Sequence, residues 1–226
     1  MTDVAVIDYG MGNLRSVAKA IEHVAPGLEV VVTSDPKTVG RAKRVVFPGQ
    51  GAMPDCMREM DARGLRSAVV DAANAKPFLG ICIGLQMLFD GSEEGNTPGL
   101  ALLPGRVVRF PADKMKDEKG ARLKVPHMGW NEVRQTASHP LWDGIAQGSR
   151  FYFVHSYFPN PAAGGLVAAE SVYGVPFACA AARDNVFAVQ FHPEKSQAAG
   201  LKLLANFIAW QPSAQRSKPT AASPAA

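Results

Sequence analysis

The first half of the chain alternates between short apolar runs and longer amphipathic stretches. Four runs rich in Val, Ile, Leu and Phe predict buried strands, at 4–7, 28–32, 44–47 and 78–81. Apolar residues at helical spacing predict a helix capped by Asn13 and another over 64–76, and Ser34-Asp35-Pro36 indicates a helix start between them. Strands that alternate with helices predict parallel β-α-β units, with helices on both faces of an open sheet.

From about residue 105 onward, strand-like runs follow one another mostly without helices between them. They lie at 107–110, 150–158, 166–173, 177–182 and 186–191, and they predict an antiparallel extension of the sheet or a second sheet. A final helix is predicted from a cap at Ser196 to about Trp210, and the charged segment 111–124 is predicted to be a mobile loop or hairpin. We expect one α/β domain over 1–210 and a disordered, Pro-, Ser- and Ala-rich tail over 211–226.

Composition and charge exclude several classes of protein. Of the 226 residues, 47% are hydrophobic and 19% charged, which suits one well-cored domain and excludes wholesale disorder. The net charge of +4 is scattered and forms no basic stripe of the kind that binds nucleic acid. No apolar run approaches the roughly 20 residues that a membrane helix needs. Three cysteines without paired spacing, and no signal-peptide pattern, predict a cytoplasmic protein with reduced thiols.

The segment Gly80-Ile81-Cys82-Ile83-Gly84 is the clearest candidate for chemistry. It follows the predicted strand 78–81 and precedes the apolar-periodic residues 85–89, which is the pattern of a nucleophile elbow with cysteine as the nucleophile. Such an elbow is a tight, strained turn that needs glycines beside it. The start of the following helix is expected to favour a thiolate at Cys82, and the Ile83 amide can face a developing oxyanion. The alternative is a buried structural cysteine between packing glycines.

A thiol nucleophile needs a base, and His192 is the strongest candidate among five histidines. It ends the predicted strand 186–191, where active-site residues of open α/β sheets gather. Glu194 can project the same way, hold the imidazole tautomer and stabilise the imidazolium. No pair of histidines has metal-ligand spacing with a third partner, so no metal site is expected. Cys56 and Cys179 lack any comparable setting and are expected to be structural.

A third feature is Pro48-Gly49-Gln50-Gly51-Ala52, which follows the third predicted strand. Glycines on both sides of Gln50 permit a backbone peptide to turn its N–H toward a neighbouring site. The alternative is an ordinary loop between a strand and a helix.

Taken together, the elbow and His192-Pro193-Glu194 resemble the triad of class I (triad-type) glutamine amidotransferases, a family with a flavodoxin-like fold. More narrowly, the chain is similar to the glutaminase subunits of imidazole glycerol phosphate synthases. The resemblance to the class covers essentially the whole chain up to about Trp210. The narrower likeness rests on four segments in the expected order: Asp8-Tyr-Gly-Met-Gly-Asn-Leu-Arg-Ser16, Pro48-Gly-Gln-Gly51, Pro126-His-Met-Gly-Trp-Asn131 and Phe153-Val-His-Ser-Tyr-Phe158.

The resemblance implies that Cys82 attacks the side-chain amide of glutamine, forms a γ-glutamyl thioester and releases ammonia. His192 would act as base and then as acid, and Glu194 would orient it. The amides of Gln50 and Ile83 would form the oxyanion hole. Four residues match glutamine-binding positions of the family, with Glu93 as the alternative to its neighbour: Gln86, Glu94, Ser156 and Tyr157. No cofactor is implied.

The triad and its scaffold leave no room for a synthase domain, so the acceptor site is expected on a separate chain. By resemblance the partner is a (β/α)8-barrel cyclase subunit in a heterodimer. It would join ammonia to a phosphoribulosyl-formimino carboxamide ribotide, giving imidazole glycerol phosphate and aminoimidazole carboxamide ribotide in histidine biosynthesis. The surface that receives the partner is predicted to include Asn13, Met128, Trp130 and Tyr157. Docking is expected to switch on the glutaminase through the segment Pro48-Gly49-Gln50-Gly51-Ala52, the Gln50 loop.

Other interpretations stay open. A cysteine peptidase or a thiol redox sensor would keep the elbow but show no preference for glutamine. A silent regulatory partner would not need an intact Cys82, His192 and Glu194. Another amidotransferase of the class, such as the glutaminase subunit of pyridoxal phosphate synthase, would end its first strand differently from Asp8-Tyr-Gly-Met-Gly-Asn13.

Overall fold

The structure is a computed structural model that describes residues 2–117 and 119–212. Within these ranges the strands are β1 (Val4–Ile7), β2 (Val30–Thr33), β3 (Arg44–Gly49), β4 (Phe78–Cys82), β5 (Phe89–Ser92), β6 (Thr97–Pro98), β7 (Leu103–Arg109), β8 (His127–Glu132), β9 (Arg134–Gln135), β10 (Arg150–His155), β11 (Tyr157–Pro161), β12 (Val167–Tyr173), β13 (Val175–Arg183) and β14 (Val186–Val189). The α-helices are α1 (Leu14–Val24), α2 (Pro36–Arg41), α3 (Met53–Ala62), α4 (Arg66–Ala75), α5 (Ile83–Gln86) and α6 (Gln197–Ala209). The predicted tail, 211–226, lies outside the described residues except for 211 and 212.

One large sheet carries the core, with strand order β2-β1-β3-β4-β14-β13-β12-β9 among the described residues. The first five strands of that order are parallel, and β13, β12 and β9 extend the sheet in antiparallel fashion. Every residue of β1 and β4 is buried, as expected for parallel strands covered on both faces. The predicted α/β architecture and its antiparallel extension are therefore confirmed.

Smaller sheets complete the second half of the described chain. A four-stranded sheet has the order β11-β7-β5-β6, and β10 pairs with β8 alone. The prediction of one strand over 150–158 was wrong, because the chain changes sheets at Ser156: β10 pairs with β8, whereas β11 pairs with β7. An apolar run indicates that a segment is extended, but the boundaries between its strands depend on which other strands it pairs with.

Helix α3 is an element that the sequence pattern did not predict. Its buried face is formed by Met53, Cys56, Met57 and Met60, which follow helical spacing. Sulfur-containing residues alternate there with charged ones, so the apolar signal is weaker than that of the aliphatic runs. This helix follows the Gln50 loop, and the Met53 amide at its start donates to the Glu94 carboxylate.

Two predicted helix caps are not formed by the expected side chains. Asn13 precedes α1 and Ser196 precedes α6, but neither side chain makes a capping hydrogen bond. The Ser196 hydroxyl instead donates to the His192 carbonyl at 2.6 Å and accepts from the Tyr152 amide at 3.0 Å. The third predicted start is confirmed, since Asp35 accepts from two amides at the beginning of α2.

Within the described part of the chain, none of the helices has the length and apolar character that crossing a bilayer would require.

The order of the central strands determines where the candidate residues meet. β3, β4 and β14 are neighbours and parallel, so their carboxyl ends lie at one edge of the sheet. Gly49 pairs with Cys82, and Val189 pairs with Ile81. The Gln50 loop, the elbow and the segment leading to His192 therefore converge there.

Candidate active site

Cys82 is the last residue of β4 and stands directly before α5. Its φ of 57° and ψ of −112° are unusual for a residue with a side chain, which is the strained backbone that an elbow requires. Only 4% of the residue is exposed. A Cβ at Gly84 would lie 1.8 Å from the Phe47 carbonyl oxygen, so glycine is required for the turn to pack against β3.

The helix after the elbow is shorter than the apolar periodicity of 85–89 suggested. It ends at Gln86, and β5 begins at Phe89. The Met87 carbonyl accepts from the Leu100 amide at 2.8 Å, and the Leu88 carbonyl accepts from Leu103 at 2.9 Å. These carbonyls are used by amides of the segment 100–103, so the helix stops after one turn.

His192 and Glu194 form a buried pair. Nδ1 of His192 lies 2.9 Å from Oε1 of Glu194, and their side chains are 4% and 1% exposed. The His192 amide donates to the Tyr152 carbonyl at 2.9 Å, which fixes this segment to β10. Nε2 of His192 has no hydrogen-bond partner among the described residues, which leaves it available on the side away from Glu194.

The electrostatic environment favours a protonated imidazole. Burial lowers the pKa of His192, but the neighbouring Cys82 and then Glu194 raise it, and the net shift is upward. An imidazolium beside a thiol stabilises the thiolate. Burial raises the pKa of the Cys56 thiol to about 11 and raises the pKa of the Cys179 thiol well above its ordinary value.

A cavity of about 250 Å³ opens beside Cys82 and His192. This volume lies near the low end of small-molecule pockets, roughly 300 Å³, and suits a ligand of amino-acid size. The sequence-predicted oxyanion and glutamine-binding residues all border it: Gln50, Ile83, Gln86, Glu94, Ser156 and Tyr157. Glu194 supports the cavity from behind His192.

Glu93 and Glu94 have different surroundings in the structure. Glu94 borders the cavity, and its Oε2 accepts from the Met53 amide at 2.8 Å at the start of α3. Oε2 of Glu93 instead accepts from the Arg109 amide at 2.8 Å. The geometry therefore favours Glu94 as the residue that faces a ligand.

The peptides around Gln50 are held on both sides. The Tyr9 hydroxyl donates to the Pro48 carbonyl at 2.9 Å, and the Cys56 thiol donates to the Gln50 carbonyl at 3.5 Å. Gly51 has a φ of 101°, which glycine tolerates. The peptide between residues 49 and 50 lies between these two anchors.

Two buried histidines, of which His155 borders the cavity, form a hydrogen-bonded pair that the sequence pattern did not reveal. Nδ1 of His155 donates to the Tyr157 carbonyl at 2.9 Å, so its Nε2 must accept from Nδ1 of His127 at 3.0 Å. Nε2 of His127 then accepts from the side-chain Nδ2 of Asn131 at 3.4 Å. Burial lowers the pKa of His127 to about 4 and that of His155 to about 3, and both rings are neutral in this arrangement.

Gln190 is another residue that the sequence pattern did not reveal. It is fully buried, and its Nε2 donates to Sγ of Cys82 at 3.8 Å while its Oε1 accepts from Nε2 of Gln86 at 3.0 Å. Gln190 lies two residues before His192, at the same spacing that relates His192 to Glu194. This spacing is the sequence signal that could have indicated it.

The predicted interface residues do not border this cavity, with the exception of Tyr157. Met128 is 63% exposed and Trp130 is 40% exposed, both on the outer face of β8. They border a separate open cleft of about 950 Å³. Asn13 is half-buried before α1.

Comparisons with known proteins agree with this geometry. The family described as Glutamine amidotransferase class-I matches residues 5–210. "Imidazole glycerol phosphate synthase subunit HisH" of Aromatoleum aromaticum is 72% identical over 212 residues, covering 94% of this chain and 100% of that protein. The protein of the same name from Nitrosospira multiformis is 67% identical over 212 residues, with the same coverage.

Solved structures with low identity share the fold. The glutaminase domain of Trypanosoma brucei CTPS has a TM-score of 0.63 at 19% identity, covering 95% of this chain and 97% of that one. A glutamine amidotransferase of Thermotoga maritima has a TM-score of 0.59 at 14% identity, covering 92% and 96%.

Proposed function

This chain belongs to the class-I glutamine amidotransferase family, and on that premise we propose that it is the glutaminase subunit of an imidazole glycerol phosphate synthase. The observation that carries the activity is the buried His192–Glu194 pair beside Cys82, at the edge of a cavity of amino-acid size. The relatives that carry the synthase subunit's name are similar over more than nine tenths of the chain, which supports the narrower assignment.

The proposed reaction begins with attack of the Cys82 thiolate on the side-chain carbonyl carbon of glutamine. The carbonyl electrons move to oxygen, and the amides of Gln50 and Ile83 stabilise that oxyanion. His192, protonated at Nε2, gives its proton to the departing nitrogen, so ammonia leaves and a thioester remains. Water then attacks the thioester while His192 takes its proton, and collapse releases glutamate and restores the thiolate. Glu194 holds the imidazole and stabilises its positive charge throughout.

Glutamine recognition is assigned to the polar groups that border the cavity: Gln86, Glu94, Ser156 and Tyr157. The Glu94 carboxylate suits the substrate ammonium group because the charges are opposite. Oε1 of Gln86 is buried and has no hydrogen-bond partner among the described residues, so it can accept from a substrate N–H. These contacts fix the amide carbon near Sγ of Cys82.

The ammonia acceptor is assigned to a second chain, the (β/α)8-barrel cyclase subunit, which forms a heterodimer with this one. Met128 and Trp130 support this proposal because they are large apolar side chains exposed on one face of β8. We assign Asn13 to the same docking surface. A glutaminase that released ammonia without an acceptor would waste glutamine, so activity is expected to depend on docking.

The test is glutamate production from glutamine by the chain alone, with the cyclase subunit, and with the cyclase plus its ribotide ligand. We expect a rise of roughly 10²–10³ on docking and ligand binding, since one oxyanion-hole donor is worth about that factor in rate. Met128→Ser and Trp130→Ser variants should weaken the response to the cyclase without abolishing the fold. Equal rates in all three mixtures would contradict the switch, and absence of glutamate in all three would contradict the glutaminase assignment.

A further inference from the structure

Gln190 connects the nucleophile to the substrate side of the cavity. It directly follows β14, is 0% exposed, and its backbone amide donates to the Cys179 carbonyl at 2.8 Å. Its side chain lies between Sγ of Cys82 and the carboxamide of Gln86. A fully buried carboxamide needs partners for both of its ends, and here these partners are two candidate site residues.

The orientation of the Gln190 carboxamide follows from its neighbours. Nε2 of Gln86 faces the Tyr157 carbonyl at 3.0 Å, and a carbonyl only accepts, so this end of Gln86 is the NH₂ group. The same NH₂ group faces Gln190 at 3.0 Å, so Gln190 must present its oxygen there. The NH₂ group of Gln190 is then the one directed at Sγ of Cys82.

We propose that Gln190 is a positioning residue for the glutaminase reaction: Nε2 holds the Cys82 sulfur, and Oε1 holds the carboxamide of Gln86 with its free oxygen toward the substrate. This inference rests on the proposed function only in that Cys82 is the nucleophile. An N–H donor binds a thiolate more strongly than a neutral thiol, because a hydrogen bond to a charged acceptor is the stronger one. Gln190 and His192 therefore stabilise the thiolate together, as neighbours on one strand end.

One residue would thus link substrate binding to nucleophile activation. Loss of the donor at Nε2 weakens the thiolate, which lowers kcat. Loss of the acceptor at Oε1 releases Gln86, which raises KM for glutamine. A residue that only filled space would affect neither quantity selectively.

The experiment measures the rate at which iodoacetamide alkylates Cys82 as a function of pH, with the modified cysteine identified by peptide mapping. Gln190→Met keeps the volume and removes both polar ends, whereas Gln190→Glu keeps an oxygen for Gln86 and removes the donor. In both variants we expect the midpoint of the profile to move to higher pH and the rate below both midpoints to fall about tenfold or more. The matched control is Gln135→Glu on β9, whose Nε2 donates to the Ile145 carbonyl at 2.9 Å.

Steady-state kinetics of the complex with the cyclase subunit separate the effects of Nε2 and Oε1 of Gln190. We expect kcat to fall in both variants, and KM for glutamine to rise several-fold in Gln190→Met and to change less in Gln190→Glu. An unchanged alkylation profile in a folded Gln190→Met protein, verified by thermal unfolding, would overturn the proposal. If Gln190→Met does not fold, the same criterion applies to Gln190→Glu and to Gln190→Asn, which shortens the side chain.

The alkylation profile needs no glutamine turnover, so failure of this inference and failure of the proposed function can be distinguished. A shifted profile in a chain that produces no glutamate with the cyclase would support the role of Gln190 at Cys82 and contradict the glutaminase function. Glutamate production together with an unshifted alkylation profile would support the glutaminase function and contradict the role of Gln190 at Cys82.

Discussion

The buried pair of His127 and His155 should make the protein lose stability when the pH falls from about 7.5 to about 5. Both rings are neutral when folded, because burial lowers the pKa of His127 to about 4 and of His155 to about 3, from an ordinary value of 6.5. In the unfolded chain both take up a proton below about pH 6.5. Their contribution is therefore complete above about pH 6.5 and is lost as the pH falls toward the folded-state values.

The magnitude follows from the width of this interval. At about pH 5 the unfolded form of each histidine is stabilised by protonation over about 1.5 pH units, at about 1.4 kcal/mol per unit, or about 2 kcal/mol for each ring. The pair amounts to about 4 kcal/mol, a large part of a typical unfolding free energy of about 5–15 kcal/mol.

The assay is urea unfolding of wild type and His155→Gln at about pH 7.5 and about pH 5. A glutamine can still donate to the Tyr157 carbonyl, and its packing loss is present at both pH values, so it cancels in the difference. We expect wild type to lose about 2 kcal/mol more than the variant over this range. His23→Gln is the control, since His23 is exposed on α1 and should keep the wild-type difference. An equal loss in wild type and His155→Gln would refute the reasoning.

Three other predictions concern the elbow and the triad. Cys82→Ala should abolish glutamine-dependent synthesis while the cyclase subunit still uses added ammonia; loss of both activities would make Cys82 structural. His192→Asn should lower glutamate release in the complex by several orders of magnitude, and Glu194→Gln by less, because orientation weakens while the imidazole remains; a wild-type rate in Glu194→Gln would remove it from the mechanism. Gly84→Ala should lower the unfolding free energy by about 1–3 kcal/mol or more, because the added Cβ would clash with β3. Gly40→Ala, in the exposed part of α2, should raise the unfolding free energy by about 0.5–1 kcal/mol. A change of the same sign in the urea titrations of both variants would contradict this.

The features of the candidate site that join residues close together in the chain could be predicted from the sequence. The elbow needs glycines within two residues of Cys82, and the His192–Glu194 contact joins residues two apart. Both could therefore be predicted from spacing alone. The roles proposed for residues in glutamine recognition come from the family resemblance, and the proposed residues border the cavity.

Contacts between distant segments could not be predicted in the same way. Gln190 is 104 residues from Gln86 along the chain, and His127 is 28 residues from His155. A buried glutamine in an apolar strand end gives no indication of its partner. The single strand predicted over 150–158 was wrong for the same reason, since its two halves pair with distant and different strands.

The register of β14 against β4 explains how these distant residues meet. Val189 pairs with Ile81, so continuing the register by one residue places Gln190 opposite Cys82, with His192 two residues further along the same strand end. One step earlier, Gly80 pairs with Ala188, and a Cβ at Gly80 would lie 2.9 Å from that of Ala188. A slip of one residue would turn each side chain of the strand to the opposite face and remove the contact between Gln190 and the Cys82 thiol. The small pair in the core and the polar groups at the strand end are thus parts of one arrangement, in which the register of β14 against β4 holds Gln190 beside Cys82.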